Sequence, residues 1–320
     1  MKALCFDRFG GPEVLYLREV ADPVGKPGHA VVRLSAIGLN FADVYRRKGN
    51  YHLTGAPPYI NGYEGAGVIE SLGDSDSDFE VGDAVGFADS PYANAERVLV
   101  PLEKLIPLPP AVDAETAAAL LLQGLSAQYL AADSHRILPG ETVAVHAAAG
   151  GVGLLLIQIA KLQGARVLGL TSSESKRAAA LEAGADQVVL YDENWPEAAK
   201  RFAGGGVDVI YDSVGSTLLS SFEAVRTGGH VVFFGMAGGD PPAIDPRMLM
   251  DTSKSLTGGD LWNVLRSHAE RVRRANELFT WVREGRLRVR IAARYPLAKG
   301  AEAHAFLESR GSIGKVLLIP

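Results

Sequence analysis

Nine residues constrain this chain more than any others: Val145-His146-Ala147-Ala148-Ala149-Gly150-Gly151-Val152-Gly153. Residues 142–146 form a short apolar, β-branched run, and residues 151–162 carry a helical apolar pattern. A strand that passes through a glycine-rich turn into a helix points unpaired backbone N–H groups and the positive end of the helix dipole at one spot. That spot suits a pyrophosphate. A side chain at Gly150 would block a close approach to the backbone, and Gly153 lets the helix lie on the strand. Ala149, Gly151 and Val152 complete the turn. The spacing is Ala148-x-Gly150-x-x-Gly153, with alanine where the usual fingerprint has its first glycine.

The chain beyond this turn supports the same reading. Apolar runs at 165–171, 187–190, 207–211 and 230–234 alternate with helical segments such as 174–183. Strands that are apolar on both faces and separated by helices predict a parallel sheet covered on both sides. The chain before residue 110 reads differently. Short strands at 30–34 and 65–71, a turn-then-strand at 81–85, an exposed turn at 73–78, and prolines at Pro101, Pro107, Pro109 and Pro110 predict a β-rich unit. A helix is expected over 113–131 with Asp113 as its N-cap, and a charged one over 267–284. Residues 315–319 form a last strand, expected to return to the first unit because the parallel sheet is already complete.

Composition narrows the function classes. Thirty-two Lys and Arg against 37 Asp and Glu give a net charge of −5, which argues against general affinity for nucleic acid or an anionic membrane. One cysteine, Cys5, allows neither an internal disulfide nor a multi-cysteine zinc site. No run approaches the ~20 apolar residues of a membrane span, and the first residues do not read as a signal peptide. A cytoplasmic protein is expected.

The tip of the second strand bears on which nucleotide binds. A fold of this type that takes NAD usually places Asp or Glu about 20 residues past the first glycine, for the ribose hydroxyls. Here that count lands on Leu168 or Leu170, and the strand runs out through Thr171, Ser172 and Ser173, with Lys176 and Arg177 within a helical turn. Hydroxyls and cations suit a 2′-phosphate, so NADP(H) is expected over NAD(H). A methyltransferase would also want a carboxylate at this tip. His146, at the end of the first strand, reads as a buried, hydrogen-bonded core residue.

Elsewhere in the chain, Asn40-Phe41-Ala42-Asp43-Val44-Tyr45 with Tyr51, Gly62-Tyr63-Glu64-Gly65-Ala66-Gly67-Val68, Gly82-Asp83-Ala84-Val85, Asp212-Ser213-Val214-Gly215 and Gly314-Lys315-Val316-Leu317-Leu318 occur in order. Together with the glycine-rich turn they resemble the medium-chain dehydrogenase/reductase superfamily, and within it the zinc-free quinone oxidoreductases of the ζ-crystallin branch. The resemblance implies an α/β protein: a GroES-like β-rich catalytic domain (residues 1–122 and 265–320) and a Rossmann doubly wound domain (residues 123–264). It also implies a homodimer and NADPH-dependent reduction of quinones.

By motif position, Lys176 and Tyr191 match residues that grip the 2′-phosphate, and Gln123 and Ser126 lie in a nicotinamide-side stretch. Ser213, Phe234, Gly235 and Lys315 fall among the implied cofactor contacts. Zinc relatives carry cysteine where this chain has Asn40 and Gly-His-Glu where it has Gly62-Tyr63-Glu64, so no metal is expected. Asn40, Tyr45 and Tyr51 are the candidate hydrogen-bond donors to a small conjugated acceptor, with Asp43 positioning its neighbours. Asn40 and Asp43 equally suit the start of a helix over 41–47, and the tyrosines equally suit packing. NADPH-dependent reduction of the C=C bond of enals or enones is the rival activity. A non-catalytic NADPH-binding protein is the rival from another class.

Overall fold

The structure, a computed structural model, describes residues 1–53, 55–73, 77–191 and 194–320. Residues 74–76 of the turn expected at 73–78 lie outside the described residues. The chain divides into two compact units. One comprises residues 1–122, 265–284 and 289–320, the other residues 123–264 and 285–288.

The first unit contains β1 (Lys2–Phe6), β2 (Tyr16–Glu19), β3 (His29–Leu39), α1 (Phe41–Lys48), β4 (Tyr59–Ile60), β5 (Gly65–Leu72), β6 (Ala84–Phe87), β7 (Arg97–Pro101) and β8 (Ile106–Pro107). The helix α2 (Ala114–Tyr129) begins in this unit, and the Asp113 carboxylate accepts the Thr116 N–H at 2.7 Å as its N-cap. β3 is the spine. It pairs with β5 and β7, and its side chains Val32, Leu34, Ile37 and Leu39 enter the apolar core.

The second unit holds β9 (Thr142–Val145), α3 (Gly151–Leu162), β10 (Arg166–Thr171), α4 (Glu174–Glu182), β11 (Gln187–Leu190), α5 (Trp195–Ala203), β12 (Val207–Asp212), α6 (Leu218–Ala224), β13 (Val225–Phe233), α7 (Pro246–Thr252) and β14 (Ser255–Gly258). All six strands run parallel in the order β11-β10-β9-β12-β13-β14. The order reverses beside β9, so the carboxyl ends of β9 and β12 flank a topological switch point, where ligands of such sheets bind. β13 starts at Val225, five residues before the apolar run at 230–234, and takes Gly228 and Gly229 into the strand. β14 has no signal of its own: Ser255-Leu256-Thr257-Gly258 is half polar and short.

The chain then returns to the first unit through α8 (His268–Arg283), β15 (Ile291–Pro296), α9 (Gly300–Glu308) and β16 (Lys315–Ile319). β16 lies antiparallel to β3, with Val316 opposite Leu39 and Leu317 opposite Gly38. This register carries Lys315 to the end of β3, beside Asn40. Among the described residues no helix is long and apolar enough to cross a membrane.

Candidate active site

In the second unit β9 ends at Val145 and the chain turns through Ala147, whose φ of +45° is left-handed and unusual for a residue with a Cβ. Three hydrogen bonds hold that turn: Ala147 N–H to Tyr191 Oη (3.0 Å), Ala148 N–H to Leu170 O (3.0 Å) and Gly150 N–H to Ala147 O (2.7 Å). The glycines divide the work. A Cβ at Gly153 would lie 2.4 Å from Ala147 O, and one at Gly151 would strike the Gln123 amide at 1.8 Å, so both serve packing. A Cβ at Gly150 would meet Ala147 O at 3.1 Å and no other atom within 4 Å among the described residues. Gly150 therefore opens the cradle, as a pyrophosphate against the first turn of α3 requires.

His146 behind the turn is fully buried, with both ring nitrogens engaged. Ser221 Oγ donates to Asp212 Oδ2 (2.7 Å), so it accepts from His146 Nε2–H (3.0 Å), and His146 Nδ1 accepts from Tyr191 Oη–H (3.0 Å). Burial pushes the His146 pKa down against the pull of Asp212, which fits this neutral tautomer. Asp212 also accepts from Val214 N–H and Gly215 N–H at 2.8 and 3.1 Å, fixing the loop that carries Ser213 at the switch point. Phe234 and Gly235 follow β13 beside it, with Phe234 N–H donating to Asp212 O and a Gly235 Cβ site 3.1 Å from Ser213 O.

At the tip of β10 the Thr171 side chain is buried and its Oγ1 has no hydrogen-bond partner among the described residues. Lys176 Nζ reaches Ser172 Oγ at 3.3 Å, and Ser173 Oγ lies 3.1 Å from Ser175 Oγ. Glu174 is turned outward, 74% exposed. Arg177, expected beside Lys176 at the phosphate, has its Nη1 donating to Val188 O (2.7 Å) and its Nε facing Glu174 (3.0 Å), which ties α4 to β11. These residues fit an adenosine 2′-phosphate at the Ser172–Lys176 corner, with a backbone cradle for the pyrophosphate at Gly150.

In the first unit α1 begins at Asn40, whose backbone N–H donates to Asp43 Oδ2 at 2.9 Å, so both residues do start the helix. The Asn40 side chain faces elsewhere. Its Nδ2 donates to Glu64 Oε2 (2.9 Å) and its Oδ1 accepts from Lys315 Nζ (2.8 Å). Lys315 Nζ also donates to Glu64 Oε2 at 2.5 Å, and Glu64 Oε1 accepts Leu122 N–H at 2.6 Å. Lys315 and Glu64 are 1% and 0% exposed. Gly38 makes room for them, since a Cβ there would sit 2.2 Å from Glu64 Oε2. Lys315, expected among the cofactor contacts, thus has its ammonium buried against Asn40 and Glu64.

Beside this network Asp43 is buried and its Oδ1 lies 3.5 Å from Arg46 Nη1. Burial raises the Asp43 pKa, and the Arg46 charge works against that rise. The Arg46 guanidinium lies 3.5 Å from the Tyr63 ring centroid and 5.0 Å from that of Tyr51. Tyr45 and Tyr51 meet edge to face, with centroids 6.2 Å apart. Burial raises the Tyr63 pKa, keeping its phenol a neutral donor.

A zinc-binding dehydrogenase model matches residues 151–279 and an alcohol dehydrogenase GroES-like domain model residues 26–142. A quinone oxidoreductase of Pseudomonas aeruginosa is 37% identical over 100% of this chain and 99% of its own. The chain belongs to the quinone oxidoreductases of the medium-chain dehydrogenase/reductase superfamily. A 2-haloacrylate reductase of a Burkholderia species is 36% identical over 97% of this chain and 96% of its own. The Escherichia coli quinone oxidoreductase solved in complex with NADPH superposes with a TM-score of 0.97 at 35% identity, covering 100% of both chains.

Within this family the donor set at Asn40, Tyr63 and Glu64 does not suit zinc. An amide and a protonated phenol are poor ligands, and the Lys315 ammonium already sits on the one carboxylate. Among the described residues no three His, Cys, Asp or Glu side chains are grouped to hold a metal ion. Glu64 and Arg46, which pair with Asn40 and Asp43, are not among the candidates expected from the sequence. The signal for Glu64 was its place in Gly62-Tyr63-Glu64. For Arg46 it was the spacing of three from Asp43, which brings two residues onto one helix face.

Proposed function

We propose that this quinone oxidoreductase reduces quinones with NADPH, without a catalytic metal. The observation that carries the NADPH assignment is the corner formed by Thr171, Ser172 and Lys176, which has hydroxyls and a cation and from which Glu174 is turned away. Gly150 with Ala149, Gly151 and Val152 would hold the pyrophosphate. Gln123, Ser126, Ser213, Phe234 and Gly235 would line the rest of the dinucleotide, and Tyr191 would brace the turn beneath it. Bound there, NADPH supplies a hydride that, with one proton from solvent, converts a quinone to its hydroquinone and leaves NADP+.

Asn40, Tyr45 and Tyr51 would face the acceptor as hydrogen-bond donors. A quinone suits a site without a Lewis acid, because its developing oxygen charge is delocalised and needs only such donors. Lys315 and Glu64 fix the Asn40 amide from behind; they act through Asn40 and not on the dinucleotide. The second reading, reduction of a conjugated C=C bond, is favoured by the 2-haloacrylate reductase relative. An acceptor panel of 1,4-benzoquinone, 1,4-naphthoquinone and an alkenal separates them. The quinones are expected to give kcat/KM at least tenfold above the alkenal; the reverse order selects the second reading.

A homodimer joined through β14 fits the fold, since β14 pairs only with β13 among the described residues and an open strand edge invites pairing. Sedimentation of the wild type is expected to show a dimer, and Leu256→Pro in β14 a monomer. A monomeric wild type removes this reading. The lone thiol, Cys5, is buried and fits a reducing cytoplasm.

A further inference from the structure

We infer that the Asp43–Arg46 pair makes this site selective for uncharged acceptors, so that carboxylate- or sulfonate-bearing ones are rejected. The inference rests on the reading of Asn40, Tyr45 and Tyr51 as the place of reduction, and it names the acceptor class that site takes.

Among the described residues four cations belong to α1 or lie beside it, and each faces a carboxylate of the same unit, Arg47 and Lys48 sharing one. Arg46, 2% exposed, faces Asp43 and donates its Nε–H to His52 O at 3.0 Å. Arg47, fully buried, binds Glu308, His304 Nδ1 and Gly10 O. Lys48 pairs with Glu308 at 2.8 Å, and Lys315 with Glu64. The rings beside these pairs are Phe41, Tyr45, Tyr51 and Tyr63: Phe41 and Tyr51 each lie 6.2 Å from Tyr45, and Tyr51 and Tyr63 lie over the Arg46 guanidinium. An anionic acceptor placed there would lose hydration and meet aromatic rings and a guanidinium that is already compensated.

Arg46 decides the matter, because it lies directly beneath the Tyr51 and Tyr63 rings. The Asp43 carboxyl group 3.5 Å away opposes the field of Arg46 at the acceptor. Without that carboxylate a full positive charge would stand behind the two rings. At an effective dielectric constant of about 20 a charge several ångströms away changes binding of an anion by roughly tenfold or more. Asp43 thus acts as a specificity residue through Arg46.

The test compares 1,4-naphthoquinone with 1,4-naphthoquinone-2-sulfonate, as kcat/KM with NADPH saturating. Assays at pH 8, above the usual histidine range, keep imidazole charge out of the comparison. Asp43→Asn keeps an oxygen to accept the Asn40 N–H and removes the charge. It is expected to raise the sulfonate-to-parent ratio at least tenfold over wild type. Arg46→Gln removes the cation and is expected to leave the ratio at or below the wild-type value. A ratio unmoved by Asp43→Asn, or raised equally by both variants, overturns the inference. Should Asp43→Asn fail to fold, wild type decides alone: a sulfonate turned over as well as the parent overturns it, and a sulfonate at least tenfold worse upholds it. If neither acceptor oxidises NADPH, the quinone reductase reading itself fails and the inference falls with it.

Discussion

Lys315→Ala is expected to lower stability by about 3–5 kcal/mol, the usual cost of leaving one member of a buried ion pair alone. For a chain of this size that is a fall in Tm on the order of 10 °C. The reason is local. Glu64 is 0% exposed, and among the described residues Lys315, Asn40 and the Leu122 N–H compensate its charge. Removing both charges at once, with Glu64→Leu and Lys315→Met, is expected to restore most of the stability, because two apolar side chains of similar length need no partners. The double variant should nonetheless remain slow. The Asn40 amide would have lost Glu64 and Lys315 and kept its bond to Gly38 O, so kcat should stay depressed while Tm recovers. Thermal unfolding beside steady-state kinetics checks both halves. A Tm shift under about 2 °C for Lys315→Ala contradicts the buried pair, and full recovery of kcat in the double variant contradicts its positioning role.

Lys176→Ala is expected to lower kcat/KM for NADPH by about 10–100-fold and to leave kcat/KM for NADH nearly unchanged. A charge-assisted hydrogen bond to a phosphate contributes about 1.5–3 kcal/mol, and NADH has no 2′-phosphate to lose it. Arg177→Ala separates the two neighbouring cations. Its guanidinium serves Val188 O and Glu174, so its loss should destabilise α4 slightly and leave the NADPH-to-NADH ratio alone. Steady-state kinetics with both nucleotides reads these outcomes. Equal losses for the two nucleotides in Lys176→Ala would contradict the corner's assignment to the phosphate.

How far the sequence reached can be seen residue by residue. The strand, turn and helix around Gly150 were legible because their signals are local: a β-branched run, a glycine pattern and a helical period lie within about twenty residues. Asn40 and Asp43 suit both a helix start and a site, and the structure shows why both readings suggest themselves. The Asn40 backbone and the Asp43 carboxylate open α1, while the Asn40 side chain turns to Glu64. Lys315 was beyond reach by spacing alone. Its contact with Asn40 spans 275 positions and exists because β16 pairs with β3. Arg177 shows the opposite limit, since adjacency to Lys176 says nothing about which carbonyl a long side chain finds across the sheet. β14 was missed because a four-residue, half-polar edge strand carries no periodic signal.

Binding of a reduced dinucleotide that carries an adenosine 2′-phosphate, by the turn at Gly150 and the corner at Lys176, is the central claim. Titration calorimetry of the unliganded protein with NADPH and then NADH tests it most directly. The expected result is saturable binding of NADPH, one per chain and at least tenfold tighter than NADH. Equal affinities, or no heat from NADPH, would contradict it.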